Sequence, residues 1–214
     1  MNYIEIINKT LVELNYAPVN AFSELTKMEH MRLMSIINRL NKEVCSMNNE
    51  FYFRQVVKKQ KLYSDKVEYS IEINGKVSKV ISIKGQKYNF EPDYSKFYSD
   101  NVPEKSYSFY GEKFLFSPSD DEVRIFYSTN DFVISKTGDL KADFKSESDK
   151  SIIPDNFVER LFVNGGAYNF KQNSSHPKYL HWKQEYEKAL KELLSGAKRM
   201  SGSDITINGG YRKL

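Results

Sequence analysis

The chain has 214 residues and a mass of 25.0 kDa, room for one large domain or two small ones. A composition of 40% hydrophobic and 28% charged residues excludes wholesale disorder. The net charge of +4 is too mild to mark a nucleic-acid binder by composition alone. The single Cys45 excludes an intrachain disulfide and reads as a plain helical residue beside Val44. The start, Met1-Asn2-Tyr3-Ile4-Glu5, carries neither a basic nor a long apolar region, and no apolar run approaches the roughly 18 residues of a membrane span. The expectation is therefore synthesis in a cytoplasm and no membrane partner.

In chain order, Ile4, Ile7, Leu11 and Leu14 form a short helical stripe that Pro18 stops. Residues 23–48 contain no Pro or Gly. There Leu33, Ile36, Ile37, Leu40, Val44 and Met47 fall on one helical face. Ser23 is the expected N-cap, and the helix should be about 35–40 Å long at about 1.5 Å per residue. Leu25, Met28, Met31 and Met34 widen its apolar surface, which needs partners in its own chain or in another subunit.

From Phe51 the period becomes two. Phe51 and Phe53 read as a strand start, followed by Val57 and the basic run Lys58-Lys59-Gln60-Lys61. Tyr69, Ile71 and Ile73 alternate up to Asn74-Gly75, read as a type I′ hairpin turn ahead of Val77 and Val80. Lys84-Gly85 is a second turn, before Tyr88 and Phe90. A loop with Tyr94, Phe97 and Tyr98 precedes three short strands around Phe109, Phe114 and Ile125, with Val133 and Ile134 continuing the last. Strands this short and regular predict an antiparallel sandwich or barrel.

Residues 136–151 read as a polar connector. Pro154-Asp155-Asn156 opens a helix through Phe157, Leu161 and Tyr168, which Gly165-Gly166 weakens. A last helix carries Tyr179, Trp182, Tyr186, Ala189, Leu190 and Leu193. Residues 200–214, with Ile205, Ile207 and Tyr211 as anchors, read as an extended arm whose edge a partner can pair. The fold class is thus α+β: a bundle of two N-terminal and two C-terminal helices (1–49 plus 152–199), an inserted antiparallel β-rich lobe (50–151) and a C-terminal arm (200–214).

A catalytic constellation is missing from this reading. His30, His176 and His181 have no ligand spacing, and Asp120-Asp121-Glu122 and Glu147-Ser148-Asp149 lack the pattern of a calcium loop. Asn164-Gly165-Gly166 and Asn208-Gly209-Gly210 are neither phosphate loops nor dinucleotide fingerprints. The expectation is no catalytic residue, no metal and no cofactor. The short basic runs at Lys58, Lys59 and Lys61, and at Lys198, Arg199, Arg212 and Lys213, are solvated faces or phosphate contacts.

The run Asn8-Lys9-Thr10-Leu11-Val12-Glu13-Leu14-Asn15-Tyr16-Ala17-Pro18-Val19 resembles the opening of the tail tubular protein A family of short-tailed phages, whose pattern is N-x-x-L-x-x-[IL]-G-x-x-P-V. It departs from that pattern at the Gly expected before Pro18-Val19, where Tyr16-Ala17 stands instead. Asn38-Arg39-Leu40-Asn41 followed by Phe51-Tyr52-Phe53, and Ile153-Pro154-Asp155-Asn156-Phe157 with Ala167 and Phe170, are similar to later parts of the family. The resemblance spans residues 4–195. It implies a non-enzymatic virion protein: a homo-oligomeric ring of about twelve copies with closed symmetry, joining portal to tail. The ring would meet the portal protein and a downstream tail or nozzle protein, and pass double-stranded DNA without reading its sequence. Ile205, Ile207, Tyr211 and Arg212 would lie in a portal-binding arm, and Met28, Met31 and Met34 would meet a neighbouring subunit. The alternative is a nucleic-acid-binding module that uses basic and aromatic residues of the β-lobe. An enzyme of unknown type is the third reading.

Overall fold

A computed structural model describes residues 1–200, with side chains to residue 196. The arm and its candidate residues Ile205, Ile207, Tyr211 and Arg212 lie outside the described residues, as do the side chains of Lys198 and Arg199. The chain forms two compact units. Of the described residues, one holds Met1–Arg54 and 130–200, and the other holds Gln55–Thr129. The fold is α+β with a strand-rich insertion. That insertion is narrower than the expected 50–151, because residues 130–151 belong with the helices.

The helical unit begins with α1 (Tyr3–Glu13), opened by a capping box in which Asn2 and Glu5 bond each other's backbone N–H. It ends in a Schellman motif: Asn15 N–H donates to Val12 O at 3.0 Å and Tyr16 N–H to Leu11 O at 2.8 Å. Asn15 takes φ 62° there, in the left-handed region that favours Gly and Asn. The long helix is shorter than its pattern. Phe22–Glu24 is a separate 3₁₀ turn, and α2 runs Met28–Ser46 from Lys27, not from Ser23. Leu25, at ψ 56°, turns the chain out of helical geometry, so α2 is about 28 Å long at about 1.5 Å per residue. Leu33, Ile36, Ile37, Leu40 and Val44 are buried as their spacing requires, whereas Met47 is exposed. Cys45 is buried and bonds Asn41 within its own helix.

Phe51 and Phe53 do not start a strand. Tyr52–Arg54 is a 3₁₀ turn, and Phe51 is buried in the helical core. Arg54, also buried, donates to Cys45 O, Asn49 Oδ1 and Asn130 Oδ1 at 3.0, 2.8 and 3.1 Å. Its guanidinium lies 5.1 Å from the Phe132 ring centroid. It ties the end of α2 to the point where the chain re-enters this unit.

In the strand-rich unit, seven strands form one sheet in the order β1-β7-β3-β4-β5-β6-β2. They are β1 (Gln55–Lys61), β2 (Glu68–Tyr69), β3 (Gly75–Ser82), β4 (Lys87–Phe90), β5 (Ser106–Tyr110), β6 (Lys113–Phe116) and β7 (Glu122–Thr129). All neighbours are antiparallel except β4 and β5. Tyr69, Val80, Tyr88, Phe116, Val123 and Ile125 are among its core residues.

The Asn74-Gly75 hairpin is not formed, since β3 pairs with β7 and β4, and β2 with β6. Gly75 is needed for a different reason: a Cβ there would sit 2.1 Å from the Ser128 carbonyl oxygen. Gly75→Ala is therefore expected to lower stability by about 1–3 kcal/mol through overpacking against backbone. Thermal unfolding checks this, and a loss under about 0.5 kcal/mol, the range of an unremarkable surface site, contradicts it. The Lys84-Gly85 turn is formed, with Gly85 at φ 85° and Gly85 N–H donating to Ser82 O at 2.9 Å.

Back in the helical unit, Val133 and Ile134 do not prolong β7. They form β8 (Val133–Ile134), which pairs with β9 (Leu140–Lys141) and β10 (Lys150–Ser151) in a small sheet. A continuous helical stretch follows as α3 (Asp155–Val158), a π-helical turn (Glu159–Asn164) and α4 (Gly165–Lys171). The π turn buries Leu161, Phe162 and Val163 in succession, because it packs against α1, α2 and α5 (Tyr179–Met200). Gly165 and Gly166 do not break the helix. A Cβ on Gly165 would meet the Tyr186 ring at 2.7 Å, and one on Gly166 would meet Thr10 at 3.2 Å, so both permit close helix approach. No described helix is long and apolar enough to cross a membrane.

Candidate interaction surfaces

Helix α2 presents a solvent face at its first turns. Met28 is 80% and Met31 56% exposed, and both stand one helical turn from Arg32 or Met28 on the same side. Met34 instead packs partly buried against the helical core, and its carbonyl accepts from the Tyr3 hydroxyl at 3.3 Å. Arg32 is held in place: its guanidinium donates to Phe170 O at 3.2 Å and lies 4.8 Å from that ring's centroid. Tyr16 meets the same ring edge-on at 6.1 Å, and Lys171 Nζ lies 5.5 Å from the centre of Tyr16. Flexible, polarizable thioethers beside fixed aromatic and basic groups suit contact with another protein.

The carboxylate clusters are structural. Asp149 is fully buried and paired with Lys141 Nζ at 2.7 Å; it also accepts from Lys145 N–H, Ser146 N–H and Ser146 Oγ. Asp121 accepts from Ser82 Oγ at 2.9 Å and Tyr88 Oη at 3.4 Å. Burial pushes the Tyr88 hydroxyl above its ordinary range. His176 stacks on Trp182 at 4.8 Å and accepts Lys178 N–H. His30 is buried with no hydrogen-bond partner on Nδ1. Among the described residues, no three His, Cys, Asp or Glu side chains gather as metal ligands. Burial raises the Cys45 thiol well above its ordinary pKa, which opposes the thiolate and its redox chemistry.

In the strand-rich unit an open groove of about 570 Å³ is lined by Gln60, Lys66, Glu68, Tyr98 and Lys113, among others. Hydrogen bonds from Lys113 and from Tyr98 (2.9 Å) hold the Glu68 carboxyl below its usual range, so these groups are spent on one another. Phe90, Tyr94, Tyr98, Phe109 and Tyr110 are exposed. Phe90 touches Phe109 at 5.8 Å and Tyr94 touches Tyr110 at 4.8 Å.

The basic run is split by the pleat. Lys58 is half-buried and donates to Glu72 O at 2.7 Å, whereas Lys59 and Lys61 are exposed on the opposite side of β1. Arg124, which register sets opposite Lys59, and Lys79, one strand further on and opposite Phe126, carry no local sequence signal that marks them as sharing its face. No protein-family model matches this chain, and a comparison with curated proteins returns no match.

Proposed function

We propose that this chain is a non-enzymatic structural subunit of a phage neck. It assembles into a homo-oligomeric ring between portal and tail, and double-stranded DNA passes through the ring. The observation that carries the proposal is the solvent face of α2, where Met28 and Met31 stand exposed on a helix whose other side is fully packed. Such a face is incomplete without a covering surface, and a ring interface supplies one. A second support comes from α1. Just ahead of Tyr16-Ala17, where the resembled pattern departs, Asn15 holds φ 62°, the conformation that a Gly serves at a helix C-terminus. The tail and portal partners, and the virion location, follow from the same reading.

Met28→Glu together with Met31→Glu is expected to abolish self-assembly while changing stability by only about 0.5 kcal/mol, as exposed sites do. Sedimentation and thermal unfolding of the same samples check both halves. A double variant that assembles like the parent protein contradicts the assignment of this face.

A further inference from the structure

The pleat sorts β1, β7, β3 and β4 into two faces. Val80, Tyr88, Val123 and Ile125 are buried on one. On the other, register sets Lys59 directly opposite Arg124, Lys61 opposite Glu122, Lys79 opposite Phe126 and Lys87 opposite Ile81. Lys79 Nζ lies 4.7 Å from the Phe126 ring centroid, which confirms that the two share this side. Lys59, Lys61, Lys79, Lys87 and Arg124 are all exposed. The one carboxylate among them, Glu122, approaches Lys59 Nζ at 3.9 Å. Like charges directly opposed across strands cost stability. The Lys59–Arg124 pair therefore does nothing for the sheet and points to an anion outside it.

We propose that this face binds the phosphate backbone of double-stranded DNA without reading its sequence. Four strands set about 4.8 Å apart make a face about 14 Å wide, and a duplex carries one phosphate charge per roughly 1.7 Å of its axis. Cations spread both along β1 and across to β4 match that density, whereas an acidic peptide offers fewer charges and needs an apolar anchor pocket. Ile81 and Phe126 are half-buried in the sheet surface and do not protrude as stacking platforms for unpaired bases. Lys and Arg bind phosphates without sequence information. The inference does not depend on ring formation, because one subunit carries the whole face.

The test is fluorescence anisotropy of the full chain with a labelled 30-base-pair duplex between 50 and 200 mM salt. With five cations engaged, affinity should fall roughly 500-fold over that range; with Lys59→Gln, Arg124→Gln and Lys79→Gln combined, two remain and the fall should be roughly 12-fold. The triple variant should also bind more weakly at 50 mM salt, with unchanged circular dichroism and thermal unfolding. A control, Lys42→Gln, Lys96→Gln and Lys183→Gln, makes the same change in net charge at ion-paired residues outside these four strands and should bind like the parent. Absence of duplex binding at 50 mM salt overturns the proposal. So does an equal loss in the control, or displacement of the duplex by polyglutamate at equal charge, which would assign the face to an acidic protein.

Discussion

Trp182→Ala is expected to destabilise the protein by about 3–5 kcal/mol, the range for truncating a buried Trp or Phe. Trp182, the only tryptophan, is fully buried in the core made by the two ends of the chain. Truncation leaves a cavity between helices that glycines elsewhere in the same packing hold close, so collapse is restricted. It also removes the indole N–H that donates to Glu13 Oε2 at 3.0 Å and the ring on which His176 stacks. That N–H, ahead of Lys178, is what holds the Glu13 carboxyl below its usual range. Trp182→Phe keeps most of the packing and should lose much less than alanine. Denaturant unfolding followed by circular dichroism measures both, and a loss under about 1 kcal/mol for alanine, the centre of ordinary single substitutions, contradicts the packing account.

Asp149→Ala is expected to cost a comparable 3–5 kcal/mol, because removing one member of a buried ion pair leaves its partner uncompensated. Lys141 loses its counter-charge, and the Lys145 and Ser146 N–H groups lose their acceptor. Burial by itself raises the Asp149 pKa, but the hydrogen bonds from Lys141, from the Ser146 hydroxyl and from the two backbone N–H groups outweigh it and hold the carboxyl below its ordinary value. A depressed folded pKa gives stability that is present above the unfolded aspartate value of about 3.9. It is lost as the pH falls through the folded value. The gap in Tm between the parent and Asp149→Asn should therefore be widest near neutrality and should close as the solution is acidified below that range. A gap that is constant with pH assigns the cost to lost packing instead.

Helix periodicity made the stripes of α1, α2 and α5 legible, since each buries or half-buries the residues its spacing aligns, apart from Met47 beyond the end of α2. The ends were less legible. Ser23 has the chemistry of an N-cap, but Leu25 leaves helical geometry and moves the start to Met28. Asn74-Gly75 has turn chemistry, yet Gly75 serves a backbone approach to Ser128, a neighbour 53 positions away that no local pattern encodes. The strands β8 to β10 are two residues each, too short to show a period. Met28 and Met31 were legible as surplus apolar surface, while Met34 turns inward because its backbone position faces Tyr3. The pairing of Lys59 with Arg124 required the register of two strands separated by the whole insertion.

The most direct measurement of the ring account is the mass of the purified chain, alone and mixed with its cognate portal, by mass photometry. The account predicts a discrete ring of about twelve subunits with closed symmetry, or monomers that convert to such a ring when portal is added. A chain that stays monomeric in both samples contradicts it.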